Sequence, residues 1–230
     1  MDKKIIYING RFLTHKMTGI PRFAYEMCRA MYRNRMNIMV VAPKILEELN
    51  DFPFPVTYYG KKKSHAWEQW DLYCFMRKKS GALLISFSGL GPICYKPHIP
   101  TIHDLSFWEN PQWFSFSYNL FYRIFTPWIA RKAQRVITVS RFSQKEIAKD
   151  LEISVEKIFV VPNAVAPQLQ SDAKTNEISR AQSSEKYILM VASRDPRKNV
   201  ALAVEAFLSL HLDDIKLYLI GDEGSVFKNT

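Results

Sequence analysis

Residues 187–207 read YILMVASRDPRKNVALAVEAF, an apolar run that passes through a polar loop into a helical pattern. The loop carries three cations, Arg194, Arg197 and Lys198. Because a helix N-terminus offers unpaired N–H groups and a positive dipole, this strand–loop–helix pattern predicts a site for an anion such as phosphate. A second apolar run, Lys216–Ile220, completes one βαβ unit.

A single βαβ unit cannot cover both faces of its own sheet, so it predicts a larger domain than the remaining sequence can build. We therefore expect residues 187–230 to be the start of a second, truncated domain. Residues 166–186 are polar with little apolar periodicity and are expected to be the interdomain linker. Residues 1–165 are expected to form a complete first domain.

Short, nearly continuous apolar runs recur through the first 165 residues, as expected for parallel strands covered on both faces. Helical patterns lie between several of them. Pro21–Arg33 carries an apolar stripe, and Ser143–Glu146 predicts a capping box that begins a helix running to about Leu151. The alternation predicts a doubly wound, Rossmann-like α/β fold with a parallel sheet. The runs are Ile5–Ile8, Ile38–Val41, Ala82–Ile85, Ile99–Ile102, Val136–Val139 and Ile158–Val161.

Composition narrows the classes of function. The chain has 230 residues, and its net charge of +10 favours acidic partners such as phosphorylated molecules, anionic lipid or nucleic acid. Its three cysteines are far apart and no metal-ligand spacing occurs, so neither a metal site nor a disulfide framework is expected. The first apolar run is too short for a signal peptide. The longest uncharged stretch, Ser80–Tyr95, is too short and glycine-rich to span a membrane.

Ligands of open α/β sheets bind outside the carboxyl ends of the strands, which selects the residues after each apolar run. Gly19 and Arg22 follow the first run at a helix start. The glycine would let backbone approach a ligand, and the arginine could hold a phosphate or a sugar hydroxyl. A turn glycine and a solvated arginine explain the same residues equally well.

His103 and Asp104 follow the fourth run, Ser140 follows the fifth and Asn163 follows the sixth. A histidine beside an acid can hydrogen-bond a polar substrate. Each of these residues also has a purely structural explanation: a packed histidine, a helix cap or a turn asparagine. Their recurrence at the ends of several strands of one predicted sheet favours a common binding edge.

Residues 107–128 hold ten aromatic side chains with Arg123, Arg131 and Lys132 nearby. Packing of a helix pair explains most of them, and a membrane interface explains a minority, because aromatic and basic residues act together there. The lysine-rich clusters at residues 61–63 and 77–79 are either solvated surface or a contact with anionic lipid.

The order of motifs resembles the retaining glycosyltransferases of family four, which have the GT-B fold. The closest similarity is to the bacterial mannosyl- and rhamnosyltransferase-like group of O-antigen (lipopolysaccharide) and capsule biosynthesis. The similarity extends from about Ile5 to Gly221. It is carried by TGIPR (18–22), TIHDLSFWENPQWF (101–114), RVITVSRFSQKEIAKDL (135–151), KIFVVPNAV (157–165) and the stretch 187–207.

The resemblance implies an acceptor-side first domain and the beginning of a nucleotide-sugar-binding domain. It implies transfer of a hexose from a nucleotide diphosphate sugar to a polysaccharide or a lipid-linked saccharide, without metal or other cofactor. His103 and Lys198 would act in catalysis, the lysine by neutralising the departing diphosphate. The implied donor-binding residues are Gly19, Ser140, Asn163, Arg194 and Arg197, and the acceptor-binding residues are Arg22 and Asp104.

The family's retaining reaction is usually described as attack on the face from which the diphosphate leaves, with a phosphate oxygen taking the acceptor proton. No carboxylate pair of the glycosidase kind is then required. The expected location is the cytoplasm, with peripheral attachment to the inner membrane face.

Two further hypotheses stand beside the enzyme. The chain could be a truncated or split form that needs a second polypeptide or serves only in binding. It could also be a basic nucleic-acid binder, which is disfavoured because its cations are scattered and no nucleic-acid-binding motif occurs.

Overall fold

The structure is a computed structural model that describes residues 4–46, 51–79, 81–165, 186–193, 198–212 and 214–221. It divides into two compact units, each with its own parallel sheet. The first unit comprises Met1–Leu105 and Ile124–Ala164, and the second comprises Ser106–Arg123 and Val165–Thr230. Residues 166–185, nearly all of the predicted linker, lie outside the described residues.

The first unit is built on parallel strands, as predicted. Among its described residues they are β1 (Ile6–Asn9), β2 (Ile38–Ala42), β3 (Val56–Tyr58), β4 (Leu84–Ser86), β5 (His98–Pro100), β6 (Val136–Thr138) and β7 (Ile158–Val160). Five of them form one sheet in the order β3-β2-β1-β4-β5, and every pair is parallel. The chain runs outward from β1 in one direction and then returns to its other side. The doubly wound α/β fold is thus confirmed.

Strands β6 and β7 form a parallel pair that joins the edge of this sheet. The junction is a parallel bridge between Thr101 and Ile137, and the Ile102 amide donates to the Ile137 carbonyl at 2.8 Å. Because all the pairings are parallel, the carboxyl ends of these strands face the same edge of the sheet.

The helices are α1 (Gly19–Arg33), α2 (Ser64–Ala66), α3 (Tyr73–Arg77), α4 (Ser106–Glu109), α5 (Phe116–Lys132) and α6 (Arg141–Asp150) in the described residues up to 165. A π-helical segment, Trp67–Leu72, connects α2 to α3. Short 3-10 turns occupy Gly10–Thr14, Lys44–Leu46, Pro111–Trp113 and Val155–Lys157. Within the part of the chain that the structure describes, no helix is long and apolar enough to cross a bilayer.

Helix α1 covers one face of the sheet with the stripe that the sequence predicted. Ala24 and Cys28 are fully buried and pack in the same core cluster as Ile8 of β1 and Val40 of β2. The helix begins at Gly19, two residues before the predicted start at Pro21. Proline has no N–H to contribute in the first turn, so it is accommodated there without losing a helical hydrogen bond.

The predicted capping box at Ser143 is wrong. Helix α6 begins at Arg141, and its N-cap is Ser140, whose Oγ accepts from the Ser143 amide at 3.0 Å. Ser143 lies inside the first turn, where its own Oγ accepts a hydrogen bond from the Ser140 hydroxyl at 3.0 Å. A serine directly after a strand has the extended backbone that an N-cap requires, which favours Ser140 over Ser143.

The second unit contains the predicted βαβ pattern. Strand β8 (Lys186–Val191) pairs in parallel with β9 (Ile215–Ile220), and α7 (Val200–Ser209) lies between them in sequence. Apolar side chains of all three elements are exposed, including Val191 at 73%. The same unit holds α4, whose Phe107 is buried and whose Trp108 ring lies 4.9 Å beneath the Arg123 guanidinium.

Candidate functional site

The site expected from the topology lies at the carboxyl ends of the paired strands β1 and β4. From β1 the chain continues to β2 on one side of this pair, and from β4 it continues to β5 on the other side. In open parallel sheets, ligands bind in the crevice that this reversal of strand order creates. The residues that follow β1, β4, β5, β6 and β7 therefore border one edge. The structure places the predicted residues His103, Ser140 and Asn163 after three of those strands.

His103 is half-buried and held in one orientation. Its Nε2 lies 3.0 Å from the Phe87 carbonyl, which follows β4, and its ring makes an edge contact with Phe23 of α1 at 5.2 Å. A carbonyl oxygen only accepts hydrogen bonds, so Nε2 carries the proton and Nδ1 is left as an acceptor. Burial lowers the pKa of His103, although the Phe87 hydrogen bond and the Asp104 charge oppose that shift. The ring is therefore neutral at neutral pH.

Ser140 and Asp104 differ in what surrounds them. The Ser140 hydroxyl is engaged as the N-cap of α6, so its side chain supports the helix in this structure. Asp104 is exposed beside His103. The strand that precedes Ser140 also contacts the histidine, because Thr138 donates its hydroxyl to the His103 carbonyl at 3.3 Å. The ends of β5 and β6 are thereby tied together.

Gly19 and Arg22 both lie in the first turns of α1 and are exposed. A Cβ added to Gly19 would meet nothing within 4 Å, so neighbouring atoms do not require a glycine there. The side chain of Thr18, which precedes the helix, makes no capping hydrogen bond. The first amides of α1 are consequently not capped by that side chain.

Asn163 and Lys198 are both exposed. Asn163 lies three residues beyond the end of β7 in the first unit, and Lys198 lies two residues before α7 in the second. Asn199 separates Lys198 from the helix in a left-handed conformation, with φ of 45°, and its side chain makes no capping bond. Arg194 and Arg197 lie outside the described residues, so the anion site of this loop stays a prediction.

Sequence reasoning missed a buried polar network at the carboxyl ends of β1 and β4. Its centre is Glu68 of the π-helical segment, which is completely buried. Asn9 donates to Glu68 Oε1 at 2.6 Å and to Ser86 Oγ at 3.2 Å. Ser86 in turn lies 3.0 Å from Nε2 of the buried His98. The network therefore joins the ends of β1 and β4 to the start of β5.

Two basic side chains approach the other oxygen of Glu68. Arg11 Nε lies 3.1 Å from Oε2, as does His65 Nδ1. The Arg11 Nε–H is not aligned on a hydrogen-bond acceptor, so the arginine pairs with the carboxylate by charge rather than by a directed bond at this nitrogen. Burial alone would raise the pKa of Glu68. The hydrogen bonds from His65 and Asn9 and the Arg11 charge outweigh it, so the pKa lies below its ordinary value and the carboxylate is ionised.

One part of this network could have been recognised from the sequence. Asn9 is a polar residue immediately after an apolar run, the same pattern that selected His103 and Ser140, and Arg11 follows two residues later. Glu68 left no such signal, because its partners Asn9 and Arg11 are distant in sequence and its own segment shows no regular periodicity.

The chain is similar to known glycosyltransferases. The sequence model of Glycosyltransferase Family 4 matches residues 17–169, which is more than half of the chain. Among solved structures, a glycosyltransferase from Rickettsia africae ESF-5 is similar at 13% identity and a TM-score of 0.46, covering 98% of this chain and 70% of that one. The comparison with curated proteins gives no match.

Proposed function

The chain belongs to glycosyltransferase family 4, and we propose that it transfers a mannose- or rhamnose-like hexose from a nucleotide diphosphate sugar to a saccharide acceptor with retention of configuration. The observation that carries the proposal is His103, a neutral histidine held at the carboxyl edge of a doubly wound sheet with Nδ1 as a hydrogen-bond acceptor. Such a group can receive a sugar hydroxyl without adding charge beside the departing diphosphate.

The reaction proposed for this edge balances without a further reactant. The bond between the sugar's anomeric carbon and the diphosphate oxygen breaks, and a bond from that carbon to the acceptor oxygen forms on the same face. The acceptor's proton passes to an oxygen of the leaving diphosphate. We assign contact with the donor sugar to His103, and contacts with the acceptor to Arg22 and Asp104.

The remaining assignments concern donor binding. We propose that the Gly19 amide contacts donor phosphate and that Ser140 and Asn163 border the donor. Ser140 could contribute while it caps α6, because a hydroxyl oxygen has two lone pairs. In the second unit, we assign neutralisation of the diphosphate to Lys198, aided by Arg194 and Arg197. Fixed cations supply this stabilisation in water-poor sites, and the proposed reaction uses no metal.

We further propose that residues 1–165 are the acceptor-side domain, that residues 166–186 are a linker and that residues 187–230 begin the nucleotide-sugar domain. The exposed apolar surfaces of β8, α7 and β9 support this, because a two-stranded parallel sheet needs cover on both faces. They also support the alternative that the chain is a truncated or split fragment, inactive by itself, that needs a second polypeptide or serves only in binding.

The proposed acceptor is a polysaccharide or a lipid-linked saccharide, and the proposed pathway is assembly of cell-surface polysaccharide such as O-antigen or capsule at the cytoplasmic face of the membrane. Support comes from an apolar cavity of about 390 Å³ beside the start of α5. Its lining includes Phe116, which is 82% exposed, and Arg123, a cation at the same surface. Exposed aromatic and basic side chains together favour an anionic membrane surface.

The test is to incubate the purified chain with a panel of nucleotide diphosphate sugars and saccharide acceptors, and to measure released nucleotide diphosphate and the anomeric configuration of the product. Transfer with retention supports the enzyme, and His103→Ala should then reduce it. Binding of a donor or an acceptor without turnover supports the alternative that the chain serves only in binding. Neither binding nor turnover across the panel would contradict both the enzyme and a binding role for the chain alone.

A further inference from the structure

The Glu68 network cannot itself be a ligand site. Arg11, its one side chain with a permanent positive charge, is only 6% exposed and its charge is balanced by Glu68. Gly89 packs directly against the Arg11 guanidinium, since a Cβ added to this glycine would collide with it. A buried ion pair contributes little net stability compared with apolar packing, so its presence calls for another explanation.

The explanation lies in residues 86–91, the last residue of β4 and the loop that follows it. We propose that Glu68 is a positioning residue that holds this loop, so that the Phe87 carbonyl keeps His103 in the tautomer with Nδ1 available to a ligand. The consequence for catalysis rests on the proposed function, but the effect on His103 does not.

The network forms hydrogen bonds with the loop at both of its ends. At its start, Asn9 joins Ser86 to Glu68 through one amide group. At its end, Glu68 Oε1 accepts a hydrogen bond from the Gly91 amide at 3.3 Å. The Phe87 carbonyl, which accepts from His103 Nε2, lies between these two anchors. A shift of either anchor would therefore move the acceptor that selects the histidine tautomer.

The π-helical segment directs two consecutive side chains at this loop. Gln69, the neighbour of Glu68, donates to the Gly91 carbonyl at 2.7 Å and accepts from the Ile93 amide at 3.0 Å. Successive side chains of a regular α-helix point about 100° apart, so two neighbours seldom contact the same loop. π-Helical turns, which are rare, recur at functional sites. Here the irregular turn gives the loop a second clamp beside the first.

Two loop glycines fit the network closely. Gly89 has φ of +76° and Gly91 has φ of +70°, a conformation that other residues adopt only with strain. A Cβ on Gly89 would approach Glu68 Oε1 as well as Arg11, and one on Gly91 would approach Ser86 and His98. The backbone path of the loop and the arrangement of the network therefore depend on each other.

Aromatic packing extends the same coupling. Phe87 is almost fully buried and makes an edge contact with Phe23 at 6.2 Å, and Phe23 makes another with His103 at 5.2 Å. The Phe87 ring and carbonyl belong to one residue, so displacement of the loop changes the histidine's packing together with its hydrogen bond.

The test uses the full chain labelled with ¹⁵N-histidine, whose ring nitrogens distinguish the two neutral tautomers by NMR. His103→Gln assigns the signal. We expect the wild type to show the Nε2–H tautomer of His103. In Glu68→Gln, the ratio of the two tautomers should shift toward Nδ1–H by about five- to tenfold, the equivalent of one weakened hydrogen bond. Ile147→Val, a buried change on α6, is the control for lost stability alone and should leave the ratio unchanged.

A folded Glu68→Gln chain with the wild-type tautomer ratio would overturn the proposal. If that variant does not fold, Gln69→Ala decides, since it removes the half-buried second clamp and should shift the ratio in the same direction; no shift there refutes the coupling. A tautomer shift in a chain that transfers no sugar would uphold the positioning role and contradict the proposed function. A shift of the His103 tautomer ratio together with a lower kcat in Glu68→Gln, and a ratio restored by Glu68→Asp, would support both the positioning role and the proposed function.

Discussion

Lowering the pH from 7.5 to 4.5 should destabilise the first unit through His98. This side chain is buried with its Nε2 against the Ser86 hydroxyl, and burial lowers its pKa from 6.5 to about 4. Below pH 6.5 the unfolded chain binds a proton that the folded chain refuses, so the free energy of unfolding falls as the pH falls. The loss is complete only below pH 4.

The size of the effect follows from the two pKa values. A difference of about 2.5 pKa units corresponds to about 3.4 kcal/mol in the limit, at about 1.36 kcal/mol per unit. At pH 4.5 the linkage relation gives a loss of about 2.5 kcal/mol from His98 alone. Burial also lowers the pKa of His103, which acts with the same sign. Glu68 has a lowered pKa and therefore adds its own loss only below the ordinary carboxyl range, near pH 4.

The assay is urea unfolding followed by circular dichroism at half-unit pH steps. His98→Gln should remove most of the pH dependence between 6.5 and 4.5, whatever its effect on stability at pH 7.5. Ile147→Val should lower stability by about 0.5–1.5 kcal/mol at every pH and keep the wild-type slope. Equal slopes in the wild type and His98→Gln would contradict a lowered pKa for His98, because this side chain would then titrate alike in the folded and unfolded chains.

Three further predictions concern charge, backbone and surface. Lys198→Ala should lower kcat/KM by the equivalent of about 2–4 kcal/mol, as for loss of a preorganised charge, while the control Lys186→Ala should not. Equal kcat/KM in the wild type and Lys198→Ala would exclude Lys198 from neutralising the diphosphate. Gly89→Ala should cost more unfolding free energy than Gly81→Ala, which shares the strained φ but meets no atom within 4 Å. In flotation assays at low salt, Phe116→Ser and Arg123→Ala should weaken binding to anionic but not neutral vesicles, and the control Phe142→Ser should have no effect. Equal binding of the wild type to anionic and neutral vesicles would count against contact between this surface and an anionic membrane.

The sheet could be predicted from the sequence because each strand is a compact apolar run. Strands β1, β2 and β4 are buried on both faces, so almost every residue in them is apolar and the run is visible without an alignment. Their parallel order follows from the helices between them. The βαβ pattern of β8, α7 and β9 was visible because both strands are apolar runs, although most of their side chains are exposed in this structure.

The ends of elements and the long-range polar contacts were harder to predict. Ser140 and Ser143 carry the same side chain three residues apart, and only the backbone at the end of β6 decides which one caps α6. Glu68 pairs with Arg11 and Asn9 across more than fifty residues, and its π-helical turn breaks the periodicity that indicates a buried helix face. His103 was selected by its place after a strand, but its tautomer depends on Phe87, which only the fold brings near.

If the edge bearing His103 is a site of retaining sugar transfer, the anomeric configuration of the product, determined by ¹H NMR, reports on it most directly. With an α-linked nucleotide diphosphate sugar as donor, the product should be α-linked and should form more slowly with His103→Ala than with the wild type. A β-linked product, or transfer at the wild-type rate by His103→Ala, would contradict retaining transfer at this edge.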